Sequence, residues 1–295
     1  MVTGRHAAGV IEPHEAQTEA AVAAHYDELD GPYRELWGED VHHGLWSTGR
    51  ESVSEATVAL TRLVCHHAGV ETGARVCDVG CGYGGTARLL AREHGADVTG
   101  FTLSAAQAAW AAEQGGGPRY VVGSWLDNDV DAGSVDAVVA IECIAHMADK
   151  AGAMAQAARV LRPGGRIAVV DWLTAPAPGP LSVRFLLEPI CREGRLPSLG
   201  SAAEYAELMR QAGLEVEHTR DLSRHVWPTW PIVAARALRR LATDGDFRRW
   251  ALNPANGQRD FVVLIGRLLA GFATRSFRIE LISARKPLHG DGPGG

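Results

Sequence analysis

The feature that most constrains this chain is a glycine-rich turn placed between a short apolar strand and a helix. The predicted strand at 75–79 leads into Asp78-Val-Gly-Cys-Gly-Tyr-Gly-Gly, and helical spacing follows over 86–93. Glycines in such a turn let the backbone approach a ligand closely, and the helix N-terminus offers unpaired N–H groups. The pattern indicates a ligand site at the carboxyl end of a strand in an open sheet.

Strand and helix patterns alternate along the chain on both sides of this turn. Helix-length segments separate the first strands, which is typical of βαβ units and a parallel sheet. The predicted strands lie at 75–79, 97–101, 120–122, 135–141, 166–171, 214–219 and 277–284, and the main helices at 86–93, 104–114, 150–161, 231–242 and 258–274. We therefore expect an α/β fold with a Rossmann-like, seven-stranded, doubly wound sheet.

The same patterns divide the chain into segments. A Pro-rich connection after the fifth strand opens an insertion of helical character, which we expect to act as a lid. The predicted segments are a flexible N-terminus at 1–18, a helical cap at 19–70, a ligand-binding core at 71–173, the lid insertion at 174–213, C-terminal core strands and substrate-pocket helices at 214–286, and a disordered tail at 287–295.

Composition argues against several classes of protein. Lys plus Arg is 29 against 35 for Asp plus Glu, and the net charge of −6 offers no general basic face for nucleic acid. No apolar run is long enough to span a membrane, and the N-terminus has no secretory apolar region. The five cysteines form no CxxC pair, so we expect a reduced, cytoplasmic protein without disulfides or a metal site.

The glycine turn admits two nucleotide ligands. Gly80, Gly82 and Gly85 satisfy the G-x-G-x-x-G pattern of dinucleotide sites. Such sites expect an acidic residue about 20 positions on, at the end of the second strand, where this chain has Gly-Phe-Thr-Leu-Ser at 100–104. Asp78, just before the glycines, suits a ligand with an ammonium group. The residues favour S-adenosylmethionine over NAD, and a glycine turn without a ligand remains the plain alternative.

Further motifs resemble those of class I S-adenosylmethionine-dependent methyltransferases, and within them the γ-tocopherol and sterol C-methyltransferase group with its bacterial natural-product relatives. The resembling segments are Tyr26-Asp27, His42–Trp46, the glycine turn, Gly100–Ser104 with Gln107, Glu142–Lys150, Leu161–Gly165 and Asp171-Trp172. The resemblance covers about residues 20–287. It implies the class I methyltransferase sheet and S-adenosylmethionine as the cofactor.

The resemblance also implies a set of cofactor-binding residues, which are Tyr26, His43, Trp46, Asp78, Gly80, Cys81, Gly82, Thr102, Leu103, Gln107, Ser124, Trp125 and Glu142. Gln107 would reach the ribose hydroxyls, since an amide both donates and accepts. Ser124 stands where the family often has an acid near the adenine amine, which leaves more of that contact to Trp125. Aromatic faces such as Tyr26 and Trp46 suit a sulfonium cation. For each of these side chains, a capping, solvated or core role is the alternative.

Three titratable residues are candidates for catalysis. His146 follows the fourth strand and Asp171 ends the fifth, at the sheet edge where ligands bind in open α/β sheets. By resemblance this His and this Asp face the substrate, where the imidazole can accept a proton and the carboxylate can orient it. Glu142 is a second carboxylate at that edge and could tie down the N-terminal segment. A structural histidine that caps the next helix is the alternative for His146.

These features predict a methyltransferase that acts on a small, largely apolar molecule. The lid and the Trp227–Trp230 region, with Phe185 and Tyr205, would form a hydrophobic acceptor pocket. The resemblance favours carbon methylation of an aromatic or isoprenoid acceptor, with His146 removing a proton from a cationic intermediate. O- or N-methylation and a cofactor-binding cyclase that does not methylate are the alternatives. The oligomeric state is open, because the N-terminal segment could dock on a neighbouring subunit.

Overall fold

The computed structural model describes residues 10–13, 17–28, 40–251 and 259–288. Its centre is a seven-stranded sheet with the order β3-β2-β1-β4-β5-β7-β6, which confirms the predicted α/β, Rossmann-like architecture. The strands are β1 Arg75–Val79, β2 Asp97–Thr102, β3 Arg119–Val122, β4 Val135–Ile141, β5 Leu161–Thr174, β6 Glu215–Asp221 and β7 Phe277–Arg285. β1 to β5 run parallel, and β7 lies antiparallel between β5 and β6.

Helices cover both faces of this sheet, because the central parallel strands are apolar on both sides. Val138, Val139 and Ala140 of β4 are fully buried. The described helices are α1 Glu19–Glu28, α2 Val53–His67, α3 Gly85–His94, α4 Ala105–Glu113, α5 Lys150–Val160, α6 Pro180–Ser182 with the π-turn Val183–Leu187, α7 Glu188–Glu193, α8 Ala202–Gln211, α9 Ser223–Val226, α10 Thr229–Thr243, α11 Gly245–Ala251 and α12 Arg259–Ala273. None of these helices is long and apolar enough to cross a bilayer.

The strand order reverses between β1 and β4, and this reversal places the ligand cleft. The chain leaves these two neighbouring strands in opposite directions, so a crevice opens outside their carboxyl ends. The glycine turn follows β1, and the 3₁₀ turn Ile144–His146 follows β4 on the other side of the crevice.

β5 is longer than the sequence predicts, and the difference matters for the site. The prediction ends this strand at Asp171, whereas the structure continues it to Thr174. The extension pairs with β7, where Asp171 lies opposite Glu280 and Thr174 opposite Phe277. Asp171 therefore lies inside a strand and not at its free end.

Part of the predicted flexible N-terminus is fixed to the insertion at 174–213, the predicted lid. Ile11 is buried, and it exchanges two backbone hydrogen bonds with Leu199, of 2.9 and 2.8 Å. The segments 1–9 and 14–16 of the predicted flexible start lie outside the described residues, as does most of the predicted disordered tail.

Candidate active site

A cavity of about 1000 Å³, including its open mouth, lies at the carboxyl ends of β1 to β4 beneath α1. Most of the residues that the sequence predicts for the cofactor line it, namely Tyr26, Asp78, Gly80, Cys81, Gly82, Thr102, Leu103, Gln107, Ser124, Trp125 and Glu142. His146 also lines it. His43, Trp46 and Asp171 do not.

The glycine turn brings bare backbone to the cavity wall. Gly80 has a φ of 65°, and a Cβ there would lie 2.3 Å from the Cβ of Cys143, so no side chain fits. Gly82 has a φ of 52°, and a Cβ on it would meet nothing within 4 Å. Both positions are strained for other residues, and glycine leaves the backbone open to a ligand.

Asp78 is a buried carboxyl with an unused oxygen. Its side chain is 2% exposed, and its Oδ2 has no hydrogen-bond partner among the described residues. Burial and the neighbouring Asp40 raise the pKa of Asp78 to about 8. A buried polar atom without a partner is costly. The orphaned oxygen therefore fits a ligand that brings a cationic donor, such as the ammonium group of S-adenosylmethionine.

The end of β2 presents an amide to the cavity. Ser104 caps α4, since its Oγ accepts from the backbone N–H of Gln107 at 3.1 Å. The Oε1 of Gln107 accepts from Thr102 Oγ1 at 2.9 Å, which leaves the Nε2 hydrogens without a partner among the described residues. Gln107 is buried, so it is not the solvated helix residue of the alternative interpretation. Its free amide donors fit a ribose hydroxyl.

The end of β3 combines a hydroxyl with an indole. Ser124 Oγ donates to Glu19 Oε1 of α1 at 2.7 Å. Trp125 is buried, its Nε1 donates to the carbonyl of Ala153 at 3.0 Å, and its ring meets Phe101 edge to face. Trp125 is thus part of the core and also part of the cavity wall.

Glu142 carries a fixed negative charge at the end of β4. Its backbone has a φ of 54°, and its carboxylate accepts from the backbone N–H of His43 at 2.9 Å and from Trp172 Nε1 at 2.9 Å. His43 Nδ1 lies 2.8 Å from both carboxylate oxygens. Burial opposes ionisation, but His43, His42 and Trp172 together outweigh it and hold the pKa of Glu142 at about 2.

His43 and Trp46 do not line the cavity but pack behind its wall, which corrects their predicted position against the cofactor. Trp230 Nε1 donates to His43 Nε2 at 2.7 Å, so the proton of the imidazole lies on Nδ1 and points to Glu142. Trp46 Nε1 donates to Thr229 Oγ1 at 3.1 Å. Both side chains pack against the start of α10 because the 40–46 segment runs behind Glu142.

His146 is the base candidate whose position agrees with the prediction. Its Nδ1 lies 3.4 Å from the carbonyl of Arg195, which can only accept, so Nδ1 carries the proton. The lone pair of Nε2 then faces Tyr26, whose O–H donates to it at 3.2 Å. Burial lowers the pKa of His146 to about 4. The imidazole is therefore neutral near pH 7, and its Nε2 can receive a substrate proton only where a substrate hydroxyl replaces that of Tyr26.

Asp171 does not line the cavity, which corrects its predicted position facing the substrate. Its Oδ2 accepts from the backbone N–H of Ala145 at 2.7 Å and from the hydroxyl of Tyr205 at 3.1 Å. Its Oδ1 accepts from the backbone N–H of Trp172 at 2.9 Å. Because the strand continues beyond Asp171, the carboxylate joins β5 to the turn that carries His146.

The predicted acceptor pocket of lid and tryptophan residues does not form as expected. Tyr205 and Trp230 are buried in hydrogen-bonded packing, while Phe185 is 57% and Trp227 45% exposed. Sequence reasoning also missed five residues that line the cavity from the N-terminal segment, which are Glu19, Val22, Asp40, Val41 and His42. No group of His, Cys, Asp and Glu side chains within the described ranges is arranged to hold a metal ion.

Known proteins resemble this chain in sequence. A methyltransferase-domain family model matches residues 55–219. The 27-O-demethylrifamycin SV methyltransferase of Amycolatopsis mediterranei is 33% identical over 269 residues, which cover 89% of this chain and 95% of that protein. The chloroplastic tocopherol O-methyltransferase of Arabidopsis thaliana is 34% identical over 241 residues, covering 74% and 69% of the two chains.

Solved structures agree on the fold. The cyclase SpnF matches with a TM-score of 0.76 at 24% identity, over 94% of this chain and 99% of its own. The geranyl diphosphate C-methyltransferase of Streptomyces coelicolor A3(2), solved with Mg²⁺, geranyl diphosphate and S-adenosyl-L-homocysteine, matches with a TM-score of 0.70 at 22% identity, over 92% and 100%. At these identities the likeness concerns the fold alone.

The seven-stranded sheet, with the glycine turn after β1, has the class I methyltransferase fold. The family match and the relatives make the assignment specific: the chain belongs to the S-adenosylmethionine-dependent methyltransferases. This confirms the predicted family, the predicted enzyme class and the predicted cofactor.

Proposed function

We propose that this methyltransferase methylates a hydroxyl oxygen of a small, largely apolar natural product. The observation that carries the proposal is His146, a neutral imidazole at the cavity whose Nε2 already accepts a hydrogen bond from one hydroxyl, that of Tyr26. An oxygen nucleophile gains reactivity when a positioned base takes its proton. The curated relatives described above, which are named for a 27-O-demethylrifamycin and for tocopherol O-methylation, support oxygen as the acceptor atom.

The chain's own residues divide the work. S-adenosylmethionine, when bound, supplies an electrophilic methyl group on a sulfonium. Asp78 would hold the ammonium group of its amino-acid part, and Gln107 would hold a hydroxyl of its ribose. Positioning of this kind supplies much of the rate acceleration of a displacement reaction such as methyl transfer. His146 Nε2 would accept the hydroxyl proton once the substrate hydroxyl takes the place of the Tyr26 hydroxyl there, while the Arg195 carbonyl keeps the imidazole oriented through Nδ1.

Carbon methylation of an aromatic or isoprenoid acceptor is the second candidate. The ring of Tyr26 meets His146 edge to face at the cavity, and the carboxylate of Glu142 lies in the same wall. A ring face and a fixed carboxylate can both stabilise a cationic intermediate, from which His146 would remove a proton.

Matched acceptors separate these candidates. Phenolic and alcoholic polyketides and prenylated phenols would be offered with the hydroxyl free and with it already methylated. We expect mass gain and equimolar S-adenosylhomocysteine only from free hydroxyls, with carbon NMR placing the new methyl on oxygen. A product from a blocked acceptor would favour carbon methylation, and conversion without S-adenosylhomocysteine would favour the cyclase alternative.

Two histidine variants test whether His146 is the base. His146→Gln should lower kcat by about 10²- to 10⁴-fold, because a positioned base contributes on that order. His66→Gln, on the exposed face of α2, should leave kcat unchanged. Equal activity of the wild type and His146→Gln would leave positioning as the sole contribution of this site.

A further inference from the structure

The helix α1 is fastened across the mouth of the cavity by polar side chains near both of its ends. Glu19 accepts from Ser124 at the end of β3, and Tyr26 donates to His146 after β4. Asp27 accepts from Ser104 at the end of β2. These contacts link one helix to the ends of three neighbouring strands, so α1 is part of the cofactor site as well as its cover.

The segment that follows β3 brings no carboxylate of its own to the cavity, since the exposed Asp127 does not line it. Ser124 and Trp125 are the side chains there, and Ser124 can supply only a hydroxyl. The other carboxylates that line the described cavity have different neighbours. Asp78 and Asp40 lie close together at the glycine turn, where a Cβ on Gly85 would overlap the Asp40 carboxylate. Glu142 is held by His43 and Trp172.

Glu19 of α1 brings a carboxylate to this part of the cavity. Its Oε1 accepts from Ser124 at 2.7 Å, and Ser124 is its one hydrogen-bond partner within the described part of the chain. The side chain is half-buried and lines the cavity beside Trp125. The hydroxyl of Ser124 thus orients the carboxylate, and Oε2 is left to accept from a ligand. An indole and a carboxylate side by side suit a flat base that carries an amine.

We propose that Glu19 accepts a hydrogen bond from the exocyclic amine of the cofactor's adenine. The proposal rests on the cofactor assignment and adds to it a specificity-determining residue from outside the core. A carboxylate accepts from an amine but repels the carbonyl oxygen that hypoxanthine carries at the same place. Glu19 therefore makes the site distinguish adenine from hypoxanthine.

Binding calorimetry with two cofactor products tests this. S-adenosylhomocysteine and S-inosylhomocysteine would be titrated into the wild type, Glu19→Gln and Glu113→Gln. Glu113 is an exposed glutamate at the end of α4, it does not line the cavity, and its substitution removes the same charge, so it serves as the matched control. We expect the wild type and Glu113→Gln to prefer the adenosyl ligand by about 10-fold or more, since one hydrogen bond to a charged acceptor is worth that much.

The Glu19→Gln variant separates recognition of the adenine amine from the attachment of α1 to Ser124. The glutamine keeps an oxygen for Ser124, so α1 stays attached, but its amide can also donate to a carbonyl. The preference for the adenosyl ligand should fall to within about 3-fold. A preference unchanged in Glu19→Gln would overturn the proposal. If the folded wild type binds neither ligand, the cofactor assignment is wrong, and the proposed role of Glu19 is wrong for that reason.

Discussion

At the scale of single residues, the site is marked by polar atoms that the protein leaves without a partner. Asp78 Oδ2 is the clearest case among the described residues, because it is buried at the cavity wall and its pKa is raised to about 8 by burial and by Asp40. At pH 7 this carboxyl is mostly protonated in the free protein. An ammonium group beside it favours the ionised form, so the pKa falls when the cofactor binds.

Cofactor binding should therefore release protons. At pH 7 we expect about one proton to leave per molecule of S-adenosylhomocysteine bound, because Asp78 changes from protonated to ionised. Calorimetric titrations in two buffers of different ionisation enthalpy measure this number directly. Asp78→Asn should weaken binding and abolish the release, whereas Asp97→Asn, at the exposed start of β2, should change neither. The same proton release in Asp78→Asn would assign it to another group.

The sequence could place site residues that lie close to a strand end in a local motif. It could not place residues that reach the site from a distant part of the chain. Asp78 and Gln107 lie within a few positions of a strand end, so the strand pattern alone brings them to the cleft. Glu19 meets Ser124 across 105 positions, and no spacing in the sequence reports such a contact. His43 and Trp46 belong to a segment without periodicity, so their direction could not be inferred.

At the scale of elements, the extension of β5 decides what Asp171 does. Side chains alternate along a strand, so Asp171 and Trp172 point to opposite faces of the sheet. Trp172 reaches Glu142, whereas Asp171 reaches Tyr205 of α8 and the backbone of Ala145. The sequence analysis predicted that the strand ends at Asp171 and so missed this contact. The three residues that follow continue the strand because they pair with β7, and their own sequence carries no strand pattern.

Asp171 should accordingly matter for stability more than for cofactor binding. Asp171→Asn places an amide donor where several N–H and O–H donors converge, and we expect it to lower the free energy of unfolding by about 2–4 kcal/mol. Tyr205→Phe removes one hydrogen bond and should cost about 1 kcal/mol. Glu207→Gln, exposed on α8, should change it by less than about 0.5 kcal/mol. Urea unfolding gives these values.

Binding supplies the second test of Asp171. The affinity for S-adenosylhomocysteine should stay within about 3-fold of wild type in Asp171→Asn at temperatures where the variant is folded, because the side chain does not line the cavity. A variant of unchanged stability that had lost methyl transfer would instead restore the catalytic role that the sequence predicts for this aspartate.

At the scale of the whole molecule, the N-terminal segment and the lid meet over the sheet and hold His146 between them. Tyr26 of α1 and the Arg195 carbonyl of the lid contact the two ring nitrogens of this residue. The lid is joined to the sheet through Thr174, whose N–H donates to the carbonyl of Gly200 at 2.8 Å. The orientation of the base thus depends on two segments that lie outside the sheet.

Ile11 links these two segments, so its loss should loosen the lid selectively. Its side chain is buried in the same apolar cluster as Leu196 and Leu199. Ile11→Ala leaves a cavity there and should weaken this local contact by about 2–4 kcal/mol. We expect the Leu199 N–H, which donates to the Ile11 carbonyl, to exchange with deuterium at least about 10-fold faster, while amides of β4 keep wild-type rates.

Val10→Ala is the matched control, because Val10 is only partly buried and neighbouring residues in an extended segment point to opposite sides. Its exchange at Leu199 should stay close to wild type. If the lid is the element that orients His146, Ile11→Ala should also lower kcat and leave the affinity for S-adenosylhomocysteine unchanged, since neither Ile11 nor Leu199 lines the cavity. Faster exchange with an unchanged kcat would mean that the Tyr26 contact alone holds the imidazole in place.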